Sequence, residues 1–494
     1  MKQKIQSIKS LAGLIKLKKL QGKKIVQCHG VFDLLHIGHV KHFKEAKKLG
    51  DILVVTITSD SFVNKGPGRP AFNQEQRSEG ISSLDCVDFV AINDSPTAIP
   101  AIKELKPNFY SKGPDYKFQK NDITNEIKNE IKEVKKYGGR IIITKTPQFS
   151  SSNLINSSLD LFTEKQKIIL NKVKKNFSFN EIKNIIEKFN KIKILVIGET
   201  IIDQYFFCEA LGKSGKEPVL VLRDLSMEQY LGGALAIARS ISQFSDKITL
   251  LSAIGEKGEL LKDIKKKNSP TIIKKRFVES YSNNKILGVY KLNDDVLEKK
   301  DLQNFEKKLK RLISSHDLVI VSDYGHGLIS EHSAKIISKY SKYFSLNAQI
   351  NAANIGHHSA KKYKNIDCLI INEREIRYEL RDKNSNISGL MKKLAESQNI
   401  KDLIVTSGTQ GSKLYNKKYN KISTCDAFAK KAVDKIGAGD AMLSIISICL
   451  YCGLNKDLSL LIGSLAAAQL VETIGNKEAV NKVKLLKSLY HLLK

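Results

Sequence analysis

Short apolar runs separated by stretches of helical spacing recur along the chain. Lys24 to Gln27 begins one run, and Asp51 to Thr58 (DILVVTIT) is apolar over enough residues for a strand buried on both faces. Between them Val40 to Leu49 has helical periodicity, so the pattern predicts a strand-helix-strand unit. Runs at Phe89 to Ile92 and Ile141 to Ile143 alternate with further helical patterns, as expected of a parallel sheet with helices on its faces. This first α/β domain is expected over 1–157. From Ser158 to Asn190 the chain carries Lys, Asn, Glu and Ile at helical spacing with no Gly or Pro, and 158–190 reads as a helical connector. A strand restarts at Lys193 (KILVIGE). Candidates at Leu318 to Val321, Cys368 to Ile371 and Leu403 to Thr406, again separated by helices, predict a second α/β domain over 191–494.

Composition agrees with two cores, because 494 residues at 41% apolar content exceed what one core usually organises. Met1 to Leu20 scatters lysines among short apolar groups and lacks the pattern of an export signal. The uncharged stretch Ala441 to Asn455 is cut by Lys456 and Asp457 before it reaches the ~20 residues of a spanning helix. No membrane segment is expected. Seven cysteines, an odd and sparse set, argue against a disulfide framework and for the cytoplasm. Cys449 and Cys452 have redox-motif spacing, but they lie in an apolar helical run and read as buried structure. The net charge of +31 is spread over helix-like stretches such as Glu126 to Lys136, without a basic arm or aromatic platform. It therefore reads as solvated surface, and no nucleic-acid partner is expected. An anionic-polymer-binding protein with inactive enzyme folds remains an alternative of a different class.

Two stretches carry candidate chemistry. Gly30-Val31-Phe32-Asp33-Leu34-Leu35-His36-Ile37-Gly38-His39 sits where the first strand gives way to the first helix. Backbone N–H groups at a helix N-terminus favour phosphate, a glycine there allows close approach, and two imidazoles can donate to phosphoryl oxygens. Nucleotidyl transfer needs such donors and no protein nucleophile. Near the other end, Gly437-Ala438-Gly439-Asp440 again sets small residues and a carboxylate before a long helical run. Its N–H groups can hold a phosphoryl group in flight while Asp440 takes a proton from a sugar hydroxyl. A helix start merely capped by its Asp is the bland alternative.

The first stretch closely resembles the HxGH signature of the nucleotidylyltransferase superfamily, in its cytidylyltransferase-like group. Asn73 to Val90, with Arg77, looks like that family's arginine-bearing helix. Tyr110 to Tyr116 is similar to its Lys-Gly-x-Asp-Tyr element, and Ser150, Ser151 and Ser152 stand at its serine cluster. The resemblance implies a Rossmann-like domain. His36 and His39 would stabilise the transferring phosphoryl group and Lys112 would neutralise phosphate. Gly30, Phe32, Gly38, Arg77 and Ser150 to Ser152 would hold the nucleotide, with Asp33 and Asp115 at the acceptor. ATP-using and CTP-using members share these elements, so the base stays open.

The second stretch resembles the C-terminal signature of ribokinase-like (PfkB) kinases. Five further elements follow that family in order: Ile197-Gly198-Glu199 to Asp203, Gly232-Gly233-Ala234, Ser322-Asp323-Tyr324, Asn372 to Glu375, and Thr406 to Gly411. The resemblance implies an α/β kinase with a small β lid, here from Phe206 to Arg223. It makes Asp440 the base, with Gly437, Ala438 and Gly439 the anion hole and Thr406, Gly408 and Gly411 in the nucleotide loop. Asp203, Gly232, Gly233 and Asp323 would meet the sugar. Asn372 and Glu375 would organise Mg²⁺ through water.

Together the two domains resemble the bifunctional enzymes that make ADP-heptose, with the domain order reversed. That implies ATP-dependent phosphorylation of a heptose-type sugar. Nucleotidyl transfer from NTP, with ATP favoured, to a sugar 1-phosphate would follow, feeding surface polysaccharide. A CTP-dependent enzyme making a CDP-sugar or CDP-alcohol is the second reading. Asn347-Ala348-Gln349 stands where a heptose kinase has Asp-Pro-Lys, and a neutral amide cannot replace that lysine's charge, which leaves the sugar open. The small-molecule partners are a sugar phosphate and a nucleotide, and ribokinase-like enzymes often pair through their lids, so a homodimer is possible.

Overall fold

The structure is a computed structural model that describes residues 4–114, 126–145, 162–255, 265–266, 270–351, 353–429 and 432–494. The chain divides into two compact units, Met1–Leu161 with Leu486–Lys494, and Phe162–Leu485.

The first unit is a five-stranded parallel sheet of β1 (Ile25–Gly30), β2 (Ile52–Thr58), β3 (Phe89–Asn93), β4 (Phe109–Lys112) and β5 (Arg140–Ile143), in spatial order β3-β2-β1-β4-β5. All seven residues of β2 are buried, which is why that run carries no alternation. Val26, Cys28, Leu53, Val55 and Ile57 pack on one face with Phe43 and Ile81. Ile25, Ile52 and Val54 meet Leu11 and Ile15 on the other. Leu11 and Ile15 belong to a helix, Ile8–Leu20, that the scattered lysines concealed. The chain reverses its direction of winding between β1 and β4, so a crevice opens beyond their carboxyl ends.

The second unit is built on eight strands: β6 (Ile194–Gly198), β9 (Ile248–Leu251), β14 (Leu318–Asp323), β15 (Phe344–Ala348), β16 (Cys368–Asn372), β17 (Asp402–Thr406), β18 (Ser412–Asn416) and β19 (Lys421–Cys425). Their order is β19-β18-β17-β16-β15-β14-β6-β9, antiparallel only at β17-β18 and β18-β19. Here winding reverses at β6, which puts the second crevice beyond β6 and β14. Leu195, Ile197, Val319, Val321, Leu346 and Leu369 form the core of this sheet. A separate four-stranded sheet, β13-β12-β7-β8, holds β7 (Thr200–Lys213), β8 (Leu220–Gly233), β12 (Ile272–Glu279) and β13 (Lys285–Lys291). The expected lid thus gains two strands, and a short parallel pair, β10 (Ile254–Gly255) with β11 (Lys265–Lys266), completes the set.

Two boundaries differ from the expected ones. The helices Glu164–Asn176 and Phe179–Glu187, read as a connector, belong to the second unit, where Gln166 Nε2 donates to Ala427 O at 2.6 Å. Conversely, Leu486–Lys494 groups with the first unit. Cys449 is buried in the helix Ala438–Tyr451 as expected, but Cys452, also read as buried, follows the helix end and is exposed; neither is in a disulfide. Among the described residues no helix is long and apolar enough to cross a membrane.

Candidate active sites

In the first unit His36 caps the helix Ile37–Lys47, its Nδ1 accepting the Gly38 N–H at 3.1 Å. A neutral imidazole that accepts at Nδ1 carries its proton on Nε2 and so remains a donor. The His39 ring stacks on His36 with centroids 3.9 Å apart, and Phe32 braces it edge-on at 5.2 Å. Phe32 adopts a left-handed φ of 49°, and a Cβ on Gly30 would come within 2.9 Å of its ring. Glycine at 30 is what admits the ring. Burial pulls the His39 pKa down to about 3, assisted by His36 and Lys65; burial and Lys65 also lower His36. Both rings are therefore neutral at pH 7 and contribute hydrogen bonds without charge.

The cation missed in the sequence is Lys65, which burial pulls down to about 8 although Asp33 opposes that. Its segment, Lys65-Gly66-Pro67-Gly68-Arg69-Pro70, is a turn-rich run with two cations beside the motif in space and not in sequence.

Three expected ligands are spent on the framework. Asp33 accepts from Ala71 N at 2.6 Å and Phe72 N at 3.2 Å and pairs with Arg69 at 3.2 Å, so it pins the 69–72 loop. Arg77 is buried and donates to Phe72 O, Val31 O, Thr58 O and Asp60, which makes it a clamp between strand ends. Lys112 is buried at the end of β4 and paired with Glu130 at 3.0 Å, so its charge is already opposed. Burial works to raise Glu130, but Lys112 and His29 hold it below the usual carboxylate range. Asp115 and Ser150 to Ser152 lie outside the described residues.

In the second unit Gly437 caps the helix Ala438–Tyr451 with φ 85°, and a Cβ there would strike Asn476 Oδ1. Only glycine fits. Gly437→Ala is expected to cost about 1–2 kcal/mol from the left-handed backbone alone, and more from the collision, measurable by urea unfolding of the second unit. Ala438, Gly439 and Asp440 form the first turn, where N–H groups lack helical partners. Asp440 accepts from Tyr324 Oη at 2.8 Å. Burial raises its pKa to about 7, Asp203 adding to this and Tyr324 and Lys274 opposing it.

Around Asp440 the structure gathers Asp203, Lys274 and Tyr324. Asp203 pairs with Arg276 and accepts from Asn476 Nδ2 at 3.1 Å; a Cβ on Gly232 would strike its carboxylate. Gly233, at φ 61°, lies against Glu199 O. Lys274 is buried with its ammonium 5.5 Å from the ring centres of both Tyr290 and Tyr324. Lys274, Arg276 and Asn476 escaped the sequence reading.

Asp323, expected at the sugar, is instead a buried junction. It meets Lys362 and the Tyr363 hydroxyl, each at 2.7 Å, and Gly325 N at 3.1 Å. Burial would raise it, but Lys362 and His358 hold it low. Its neighbour Glu199 is pushed up by burial and by Asp323 while accepting from the N–H groups of Tyr324 and His326.

Asn372 and Glu375 form a capping box at the start of the helix Glu373–Leu380. Asn372 Oδ1 accepts from Glu375 N, and Glu375 accepts from Asn372 N at 2.8 Å and Ile350 N at 3.2 Å. Burial raises Glu375 to about 7. Among the described residues no three His, Cys, Asp or Glu side chains converge on a metal position. Both oxygens of Glu375 already accept backbone N–H groups, which fits contact with a Mg²⁺ ion through water better than direct ligation. Thr406 ends β17, and Gly408 and Gly411 take φ 58° and 81° in the turn that follows. A Cβ on Gly411 would strike Cys425 O.

Residues 191–482 match the pfkB family carbohydrate kinases, and residues 28–157 match the cytidylyltransferase-like family. A bifunctional protein HldE from Geobacter metallireducens is 38% identical over 164 residues, 33% of this chain and 32% of that protein. Another bifunctional protein HldE, from Aliarcobacter butzleri, is 42% identical over 121 residues, 24% of this chain and 25% of that protein. Each alignment thus spans a third or less of the relative it matches. Phosphofructokinase-2 of Escherichia coli, at 15% identity, superposes with a TM-score of 0.50 over 61% of this chain and 100% of its own, which establishes a shared fold for the larger unit.

Proposed function

We propose a function from one premise: the chain belongs to the pfkB family of carbohydrate kinases and carries a cytidylyltransferase-like domain ahead of the kinase. The C-terminal unit phosphorylates a heptose-type sugar with ATP. The N-terminal unit transfers a nucleotidyl group from NTP, with ATP favoured, to a sugar 1-phosphate and releases pyrophosphate. The observation that supports this is the same in both units: polar side chains converge on a helix N-terminus at the point where strand winding reverses.

In the kinase, Asp440 accepts the proton of the attacking sugar hydroxyl while the Tyr324 hydroxyl keeps the carboxylate oriented. The first-turn N–H groups after Gly437 take up charge on the phosphoryl group as it passes, Asp203 and Asn476 fix the sugar, and the Thr406 to Gly411 turn cradles the nucleotide. Asn372 and Glu375 would hold Mg²⁺ through water, and the ion would supply neutralisation of the nucleotide phosphates. In the transferase, His36 and His39 donate to the α-phosphoryl group and Lys65 supplies the charge that neutral imidazoles lack. The CTP-using alternative is favoured by the name of the matched family and by nothing in the described side chains. The reading places the enzyme in the cytoplasm. A homodimer through the lids would cover Leu220, Leu225, Met227 and Leu287, all exposed on that sheet.

A screen of the whole chain against ATP and CTP, with free sugars and sugar 1-phosphates, tests the proposal. ADP is expected with ATP and a free or phosphorylated heptose, and pyrophosphate with NTP and a sugar 1-phosphate. Absence of both products would remove the enzymatic reading. Tight, steeply salt-dependent binding to duplex DNA at physiological salt would then favour the polymer-binding alternative.

A further inference from the structure

Asp434 lies three residues before Gly437 and has no part in the chemistry above. Its buried carboxylate meets four donors. Oδ1 accepts from Ile436 N at 3.1 Å and faces Lys285 Nζ at 2.5 Å; Oδ2 accepts from the Tyr205 hydroxyl at 2.9 Å and from Gly475 N at 3.0 Å. Two of these donors belong to the body of the unit. Ile436 is in the loop that opens the helix Ala438–Tyr451, and Gly475 follows the helix Lys456–Val471. The other two belong to the lid, Tyr205 in β7 and Lys285 at the start of β13.

The segment after Gly475 extends this junction. A Cβ on Gly475 would come within 2.7 Å of the Tyr205 ring, and the Asn476 side chain abuts Gly437 while donating to Asp203. Lid, sugar carboxylate and phosphate-holding loop therefore share one small set of contacts. Burial works against ionisation of Asp434, but Lys285, the Ile436 N–H and the Tyr205 hydroxyl together hold the group low, and Lys285 faces it as an ion pair across the lid boundary. Such a pair adds little net stability, because Asp434 gives up its water while the lysine stays exposed and screened, yet with the Tyr205 hydroxyl it ties the lid to one carboxylate.

We propose that Asp434, held by Lys285 and Tyr205, is a positioning latch through which the lid sets the Gly437–Gly439 N–H groups for phosphoryl transfer. The anion hole is then complete only while the lid strands engage Asp434, which ties phosphoryl transfer to lid engagement. This rests on the kinase reading above, so one readout must need no turnover.

The variants are Lys285→Met and Tyr205→Phe, with Lys285→Arg as the conservative control. Amide exchange at Ile436 to Asp440 is expected to quicken in Lys285→Met and stay near wild type in Lys285→Arg, whatever the substrate. With a sugar that turns over, Lys285→Met is expected to lower kcat by roughly tenfold with KM for ATP nearly unchanged, because anion-hole N–H groups act on the transition state. Tyr205→Phe should show a smaller loss of the same kind, and it keeps the test usable if Lys285→Met melts early. Unchanged exchange at 436–440 in both variants would overturn the latch even if the wild type lacked kinase activity. A loss confined to KM for the sugar would overturn it too, since a lid that merely covers the sugar gives that result.

Discussion

His39→Ala is expected to reduce pyrophosphate release by about 10²–10³-fold while ATP-dependent sugar phosphorylation continues at the wild-type rate. The size is what loss of one preorganised donor to a transition-state oxyanion costs. The selectivity follows from placement, because His39 lies in the first unit and Asp440 in the second. His39→Gln, which keeps an N–H donor at similar reach, should recover part of the activity. The pH profile discriminates further. With His39 at about 3, that ring is neutral across pH 6 to 8, and His36 is lowered from its ordinary value by burial and Lys65, so the transferase rate should not fall as pH rises through 6.5. An imidazolium acting as the charge would lose activity there. Lys65, at about 8, is protonated below that value and loses its proton above it, so the rate should decline from about pH 8 upward. Following pyrophosphate release from pH 6 to 9 checks both limbs, and a fall centred near 6.5 would show the imidazoles to be working as cations.

What the sequence displays and what it conceals differ for physical reasons. The β2 strand and the stretches at Gly30 to His39 and Gly437 to Asp440 were readable because their residues are contiguous and a helix start needs its glycine and its donors side by side. The lid strand β12 was not. Its inward positions are Ile272, Lys274, Arg276 and Val278, so two of four buried sites carry cations and the apolar alternation vanishes. Those cations are buried because they face Asp203 and two tyrosine rings, a reason visible only in three dimensions.

A motif match also cannot say which of its donors the framework consumes. Arg77, Asp33 and Lys112 stand at the expected places, yet each is engaged by partners far away in sequence, Glu130 for Lys112 and Val31 and Thr58 for Arg77. The grouping of the last residues was hidden for a related reason: nothing in the composition of Leu486 to Lys494 separates it from the helices before it, and its place in the first unit depends on contacts distant in sequence. Lys285 and Asp434 are 149 positions apart, and no local pattern joins them.

Asp440→Asn is the reciprocal substitution, expected to lower sugar phosphorylation by about 10²–10⁴-fold, the usual worth of a positioned general base, with pyrophosphate release unchanged. In the wild type the base must be ionised, and burial has raised its pKa to about 7. Kinase kcat/KM should therefore rise with pH toward a plateau above 7 and fall about tenfold per pH unit well below it. The same shift makes a stability statement of determinate sign. A carboxyl whose folded pKa exceeds its unfolded value binds more protons when folded, so its contribution is fully present below the unfolded pKa, about 3.9, and is lost as pH rises through 7. Asparagine at 440 keeps an oxygen to accept from Tyr324 and never ionises. The variant should consequently melt at a higher temperature than the wild type at pH 8, with the gap closing as pH is lowered toward 4. Gain of stability at the cost of turnover is the expected signature of a charge held in a site for chemistry. Thermal midpoints of both proteins across that range measure it, and a variant less stable than the wild type at pH 8 would mean that Asp440 is seated there for packing, as an ordinary helix cap.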